Sequence, residues 1–314
     1  MSGLYTLIWI PIGLIMNILF SRKFGDKVEK KMKKFGLFLL FIFVPILVFK
    51  NFLNVNFGKE EIDFIFLSII FMFFLYLIAY LFSLSKAKND LKTVVVNQGR
   101  SSAFIGGALL SIEKIAIYAA IYMSLLGIYL FAIIPYFLSR GKEKNPLPFY
   151  LKIYPWYLLV FPVSAVLIHS YSGLTTKTMQ YGPIIDFLAS LTIISGLYYV
   201  GASIKLKDLK IGEMKKIFLK GDEDFELVGK ILFLTLLLTP LISFLVLLPF
   251  IAFKIFSFEW FIVLLINSIL PITSTNIFLT PYGINKKVTA LAVTWSTVFS
   301  IPIFIILFNF VMMI

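Results

Sequence analysis

The chain of 314 residues contains no cysteine and one histidine, His169. A disulfide framework, a thiolate metal site and a cysteine nucleophile are therefore excluded, as is a multi-histidine zinc or haem centre. Charge is scarce as well. Charged residues make up 14%, where soluble domains carry about 25%. Acidic residues are the scarcer sign, 16 against 29 Lys and Arg, leaving a net charge of +13. The chain has no glycine-rich Walker pattern, no HExxH and no GxSxG, so the residues point away from ATP-driven pumping and from a membrane enzyme. No cofactor and no metal are expected. What abounds is apolar: 60% of residues are hydrophobic and 35 are Phe. A soluble globule of this length could not hide that much apolar surface, so a bilayer must cover part of it.

A bilayer core needs about 20 apolar residues per helix. Reading for such runs predicts ten spans, near residues 3–20, 35–50, 62–84, 97–112, 115–138, 153–171, 180–204, 228–253, 258–280 and 288–312. The second and fourth are short. The fourth and ninth are the least hydrophobic, rich in Gly, Ser, Thr and Asn. The first run has no basic region before it and reads as a span rather than a secretory leader. With the N-terminus outside, loops after odd-numbered spans hold seven, four, four, seven and two basic residues, 24 in all, against five on the other side. That asymmetry supports an even span count with both termini outside and identifies the basic excess as a topology signal rather than a nucleic-acid surface.

The spans divide into two groups of five, residues 1–138 and 153–314, joined by a charged linker at 139–152. Five is odd, so the halves insert with opposite orientation. Ser111-Ile112-Glu113-Lys114 after the fourth span corresponds to Gly283-Ile284-Asn285-Lys286 after the ninth, 172 residues later. The same offset sets Gly99 on Pro271 and Ser101-Ser102 on Thr273-Ser274. Interrupted helices at matching positions of two inverted halves point to a transporter binding site near the bilayer midplane. A broken helix frees backbone N–H and C=O groups that lipid cannot satisfy, so the break must face protein or a water-filled cavity. The exposed N-termini favour anions.

Four stretches resemble the auxin efflux carrier family of plant auxin exporters and prokaryotic organic-acid carriers. Pro11-Ile-Gly-Leu-Ile-Met-Asn resembles its opening Pro-rich helix. Ala103-Phe-Ile-Gly-Gly-Ala resembles its GF(I/L)GxP segment, and Gly196-Leu-Tyr-Tyr-Val-Gly-Ala-Ser-Ile the lxxGxxL ending of its seventh span. Leu270-Pro271 through Tyr282-Gly283-Ile284-Asn285 resembles LPxxxxxFxxxxYGV in its ninth. The resemblance implies an all-α polytopic membrane protein of ten helices in two inverted repeats, with a scaffold and a transport domain and crossed, broken helices four and nine. It implies elevator-like movement of small organic anions across the cell membrane and, as in some members, a homodimer. Two departures bear on substrate and coupling: Gly99-Arg100-Ser101-Ser102 stands where the family has Asn or Pro at the break, and Gly107-Ala108 where it has a later Pro.

Arg100 has two readings. At a span boundary it snorkels to the cytoplasm. At the helix centre, where Arg costs about 2.5–3.5 kcal/mol on insertion scales, it must be paired or line a polar cavity. There it would anchor a substrate carboxylate or act as a built-in cation where related folds bind sodium. Ser101, Ser102, Thr273, Ser274, Thr275 and Asn276 flank the breaks and either cap freed backbone groups or hydrogen-bond substrate. Gly99 and Pro271 mark the breaks themselves. Asn97, Gln98, Pro45, Ser195 and Asp186 are weaker binding candidates. Asp186 reads as a boundary residue, a partner for a cation or a proton site, His169 as an interfacial residue, and the lysines of 205–220 with Asp222, Glu223, Asp224 and Glu226 as a solvated linker. The function expected is a secondary efflux carrier of small organic anions. A sodium-coupled symporter resembling the bile-acid family and a proton-coupled carrier are the alternatives within the same class.

Overall fold

In the computed structural model, residues 6–100, 109–139, 146–204, 222–313, Gly212 and Ile217 are described. Ser101 and Ser102 lie outside them. All regular structure in the described residues is helical apart from one isolated β-bridge. The helices are α1 (Trp9–Phe24), α2 (Asp26–Phe38), α3 (Val44–Leu53), α4 (Lys59–Leu81), α5 (Lys88–Val96), α6 (Glu113–Ile128), α7 (Ile134–Ser139), α8 (Phe149–Ser172), α9 (Gly182–Ala202), α10 (Glu223–Phe233), α11 (Thr239–Ala252), α12 (Phe258–Ile269) and α13 (Lys286–Met313).

Among the described residues, seven helical stretches are long and apolar enough to cross a bilayer: Lys30–Leu53, Lys59–Leu81, Glu113–Ser139, Phe149–Ser172, Gly182–Ala202, Glu223–Ala252 and Lys286–Ile306. Among the described residues, the other three expected spans are shorter or interrupted. Trp9–Ser21 and Phe258–Ile269 are short apolar helices, and α5 stops at Val96. Many helices carry apolar residues on both faces. Along α4, Phe64, Phe71, Met72, Leu75 and Ala79 are buried, whereas Ile62, Phe66, Ile70, Phe73 and Leu77 are exposed at helical spacing on the opposite side. Two apolar faces on one helix make sense only when protein covers one and lipid the other, so the molecule is membrane-embedded.

Three long helices contain a single widened π turn: Leu39–Phe43, Tyr129–Ile133 and Leu234–Leu238. Each sits just before a proline, namely Pro45, Pro135 and Pro240. Proline donates no N–H, and its ring collides with the carbonyl four residues earlier. Widening the turn moves that carbonyl aside without ending the helix. One freed group finds a partner: Phe41, four residues before Pro45, accepts from the Tyr157 hydroxyl at 2.7 Å. Hydroxyls also reach carbonyls within the widened turns that no proline frees: Phe43 accepts from Thr192 at 3.1 Å, and Leu234, which also takes the Thr239 N–H, accepts from the Thr239 hydroxyl.

The chain divides into two compact units. The first comprises Met1–Leu67, Ala103–Phe131 and Pro148–Ser203; the second comprises Ser68–Ser102, Ala132–Leu147 and Ile204–Ile314. Each takes segments from both halves of the sequence. In the first, α1 lies against α9 at very close range. A methyl group on Gly13 would stand 2.1 Å from the Tyr198 carbonyl oxygen, and one on Gly201 would stand 1.9 Å from that of Ile10. Small residues permit this approach, the usual means of joining helices in lipid. The α3 helix packs on α8 and α9, with Lys50 and Asp186 paired at 2.9 Å.

In the second unit, Ile231, Leu234, Ile272, Val288, Leu291 and Trp295 belong to one apolar core built from α10, α13 and their neighbours. Polar clasps tie its helix ends together. Asn285 caps α13 by accepting from the N–H groups of Lys287 and Val288 at 3.0 and 3.1 Å. Its amide also donates to Asp224 at the start of α10 at 2.7 Å. Lys287 pairs with the other oxygen of Asp224 at 2.9 Å. Nearby, Lys86 pairs with Glu226 at 2.9 Å. That hydrogen bond, against a smaller opposing effect of burial, raises the Lys86 pKa.

Candidate functional site

In the second unit, the chain just past the end of α5 meets the chain just past the end of α12. The α5 helix ends at Val96 because the chain unwinds through Asn97-Gln98-Gly99. The amide N–H groups of Gln98 and Gly99 tighten into three-residue turns on Val95 and Val96. On the other side, α12 ends at Ile269, and Leu270 adopts an extended backbone with φ −54 and ψ 151. Pro271 demands this, since a proline pushes its predecessor out of the helical region. A 3₁₀ segment then follows over Ser274–Tyr282 and closes on Gly283, whose φ of +88 favours glycine.

Between the breaks, Arg100 and Ile272 form an isolated antiparallel β-bridge. Thr273 N–H donates to the Gly99 carbonyl at 3.1 Å. The bridged positions are 172 residues apart, the same separation as the weak sequence correspondence. Freed backbone groups here are met by side chains, as lipid-buried breaks require. The Val96 carbonyl accepts from Asn276 Nδ2 at 3.1 Å, and Ile272 N–H donates to Ser296 Oγ at 3.1 Å. The Ile269 carbonyl accepts from Ser300 Oγ at 2.9 Å.

Arg100 is 1% exposed. Its Nη2 donates to Gln98 Oε1 at 3.2 Å and to the Ser268 carbonyl at 3.4 Å, both neutral acceptors. The boundary reading, in which its head reaches solvent, does not hold. A guanidinium stays charged, so Arg100 brings a positive charge beside the α12 C-terminus. Around it stand buried amides. Asn97 Nδ2 donates to the Thr93 carbonyl at 2.8 Å and to Thr289 Oγ1 at 3.1 Å. Asn267 Nδ2 donates to the Val263 carbonyl at 2.7 Å. Because each Nδ2 faces a carbonyl, the amide orientations of Asn97, Asn267 and Asn276 follow from the network. Among the described residues, the Oδ1 atoms of all three and Gln98 Nε2 make no hydrogen bond. Such groups are costly to bury unless something meets them, about 1–3 kcal/mol each.

The structure thus gathers Asn97, Gln98, Gly99, Arg100, Pro271, Thr273, Thr275 and Asn276 within one unit. Thr273 caps the 3₁₀ segment, and its hydroxyl lies 2.9 Å from that of Thr275. Ser274 begins that segment. Pro45, Ser195 and Asp186 belong to the other unit. There Pro45 shapes the π turn, Ser195 is half-buried, and Asp186 is held by Lys50. His169 bonds Asn56 at 2.6 Å and the Leu174 carbonyl at 3.0 Å, which ties down a loop.

Sequence reading overlooked Asn267, Ser268, Thr289, Ser296 and Ser300. A signal for three of them was present: Thr289, Ser296 and Ser300 recur at spacings of seven and four, one face of a helix, inside an apolar run. Among the described residues, no group of three His, Cys, Asp or Glu side chains comes together as a metal site. The chain matches no family model and no curated protein.

Proposed function

We propose that the protein is a secondary carrier that moves small organic anions out of the cell unchanged, of the auxin efflux carrier type. In this reading the three short or interrupted stretches complete ten spans, arranged as two inverted five-helix repeats in the cell membrane with both termini outside. The observation that carries it is the bridge between Arg100 and Ile272, one repeat offset apart, with a buried guanidinium at the crossing of two broken helices. In an inverted repeat, equivalent positions meet at the symmetry axis, which accounts for a contact between residues 172 apart.

Arg100 serves as the anion anchor. A guanidinium can take a carboxylate through two parallel hydrogen bonds, and the unpartnered Gln98 Nε2 supplies a further donor. A fixed cation at this crossing disfavours a sodium ion there, which counts against the symporter alternative. Outward movement of one negative charge gains about 2.3 kcal/mol per 100 mV when the cell interior is negative.

The test is thermal melting of purified protein with a panel of small carboxylates, on wild type and Arg100→Gln in parallel. A ligand at a hundred times its dissociation constant stabilises by about 2.7 kcal/mol. A carboxylate that raises the melting temperature of wild type but not of Arg100→Gln supports the anchor. That carboxylate then enters counterflow assays in liposomes. Equal stabilisation of both proteins removes Arg100 from binding, and liposomes that show no saturable counterflow refute the carrier.

A further inference from the structure

We propose that the outward face of α2 is a binding site for anionic phospholipid of the surrounding bilayer. Residues Arg22 through Lys34 contain seven basic residues and two acidic ones. Topology alone asks only for an excess of positive charge on one side; the α2 lysines are also ordered in space. Lys27, Lys30, Lys31 and Lys34 recur at i, i+3, i+4 and i+7, which places them on a single face, and all four are exposed. The opposite face is occupied. Phe35 packs its ring against Tyr198 and Tyr199 at 6.3 and 6.2 Å between centroids, and a methyl on Gly36 would meet the Tyr199 hydroxyl at 2.6 Å. The lysine stripe therefore cannot turn inward.

Two further observations choose lipid over a soluble anion. The stripe continues directly into exposed apolar side chains on the same helix, Phe38 at 45% and Ile42 at 44%. The membrane-crossing stretch itself begins at Lys30. A headgroup on the lysines would lay its acyl chain along Phe38 and Ile42, whereas a free anion would gain nothing from that strip. Three lysines elsewhere are neutralised by ion pairs: Lys50, Lys86 and Lys287 pair with Asp186, Glu226 and Asp224. Among the described residues, the four α2 lysines make no ion pair. A juxtamembrane cluster of four to eight basic residues is the usual footprint of anionic headgroup recognition.

The experiment melts the full chain in neutral detergent with added phosphatidylglycerol, phosphatidylcholine or free glycerol phosphate, at low and high sodium chloride. Phosphatidylglycerol is expected to raise the melting temperature of wild type more than phosphatidylcholine does, and high salt should erase the difference. Glycerol phosphate should do nothing. The variant Lys27→Gln/Lys30→Gln/Lys31→Gln/Lys34→Gln, which keeps Arg22, Lys23 and Lys33, should lose the preference, with affinity for the anionic lipid falling about tenfold or more. Equal response to both lipids, a salt-insensitive preference, or equal stabilisation by glycerol phosphate overturns the proposal. A preference that survives in the folded variant also overturns it. If that variant does not fold, the salt dependence of wild type alone decides.

Discussion

Replacing Gly13 or Gly201 by alanine is the most direct probe of how the first unit is held together. The new Cβ of Gly13→Ala would lie 2.1 Å from the Tyr198 carbonyl oxygen and 3.0 Å from the Ala202 nitrogen, and that of Gly201→Ala 1.9 Å from the Ile10 oxygen. The colliding atoms are backbone, so no rotamer change relieves them. The two helices must part by about 1 Å, and a gap of that size forfeits a quarter to a half of each dispersion contact across the interface. Overpacking of this kind costs about 1–3 kcal/mol, and backbone against backbone belongs at the upper end. Each single variant should then melt about 2–5 °C below wild type. The double variant should fall well short of the sum, because one displacement relieves both clashes. Gly58→Ala is the control: its Cβ would meet only Glu61 Oε2, at 3.7 Å, and stability should change by less than about 0.5 kcal/mol. Melting of wild type and the four variants in one detergent checks the set. Gly13→Ala melting with wild type, or full additivity in the double variant, would refute the close-approach argument.

Two more sets of variants examine a polar clasp of the second unit and a π turn of the first. Asn285→Ala removes the α13 cap and the donor to Asp224, and should cost about 2 kcal/mol in thermal melts; Asn285→Ser should restore the cap alone and recover about half of that. Tyr157→Phe strips the Phe41 carbonyl of its hydroxyl donor and should cost about 1 kcal/mol. In a Pro45→Ala background the same change should cost less, because the new N–H at 45 can reach the Phe41 carbonyl, and a double-mutant cycle reads the difference.

Much of the membrane architecture was legible in the amino-acid order. Runs of apolar residues long enough to cross a bilayer mark seven helices, since hydrophobic length is a local property. The helix ends ahead of Gly99 and Pro271 were legible for the same reason: glycine and proline act on their own backbone and their immediate neighbours. Arg100 stood out because a cation in such a setting demands an explanation. The π turns were not legible. Pro45, Pro135 and Pro240 announce a disturbed helix, but whether it kinks, stops or widens depends on partners such as Tyr157, 112 residues away from Pro45.

Sequence by itself thus determined that this chain is an apolar, membrane-embedded helical protein with two polar stretches and an arginine in one of them, left open between a boundary and a buried position. Tertiary structure decided where that arginine points. It rests on Gln98 and Ser268 inside the protein because the antiparallel bridge to Ile272 fixes its backbone. It also decided which hydroxyls meet the freed backbone: Ser296 and Ser300 on α13 reach the Ile272 N–H and the Ile269 carbonyl only once α13 packs beside the end of α12. A single chain segment can reveal that its own hydrogen bonds are broken. Which distant groups satisfy them is settled only by packing.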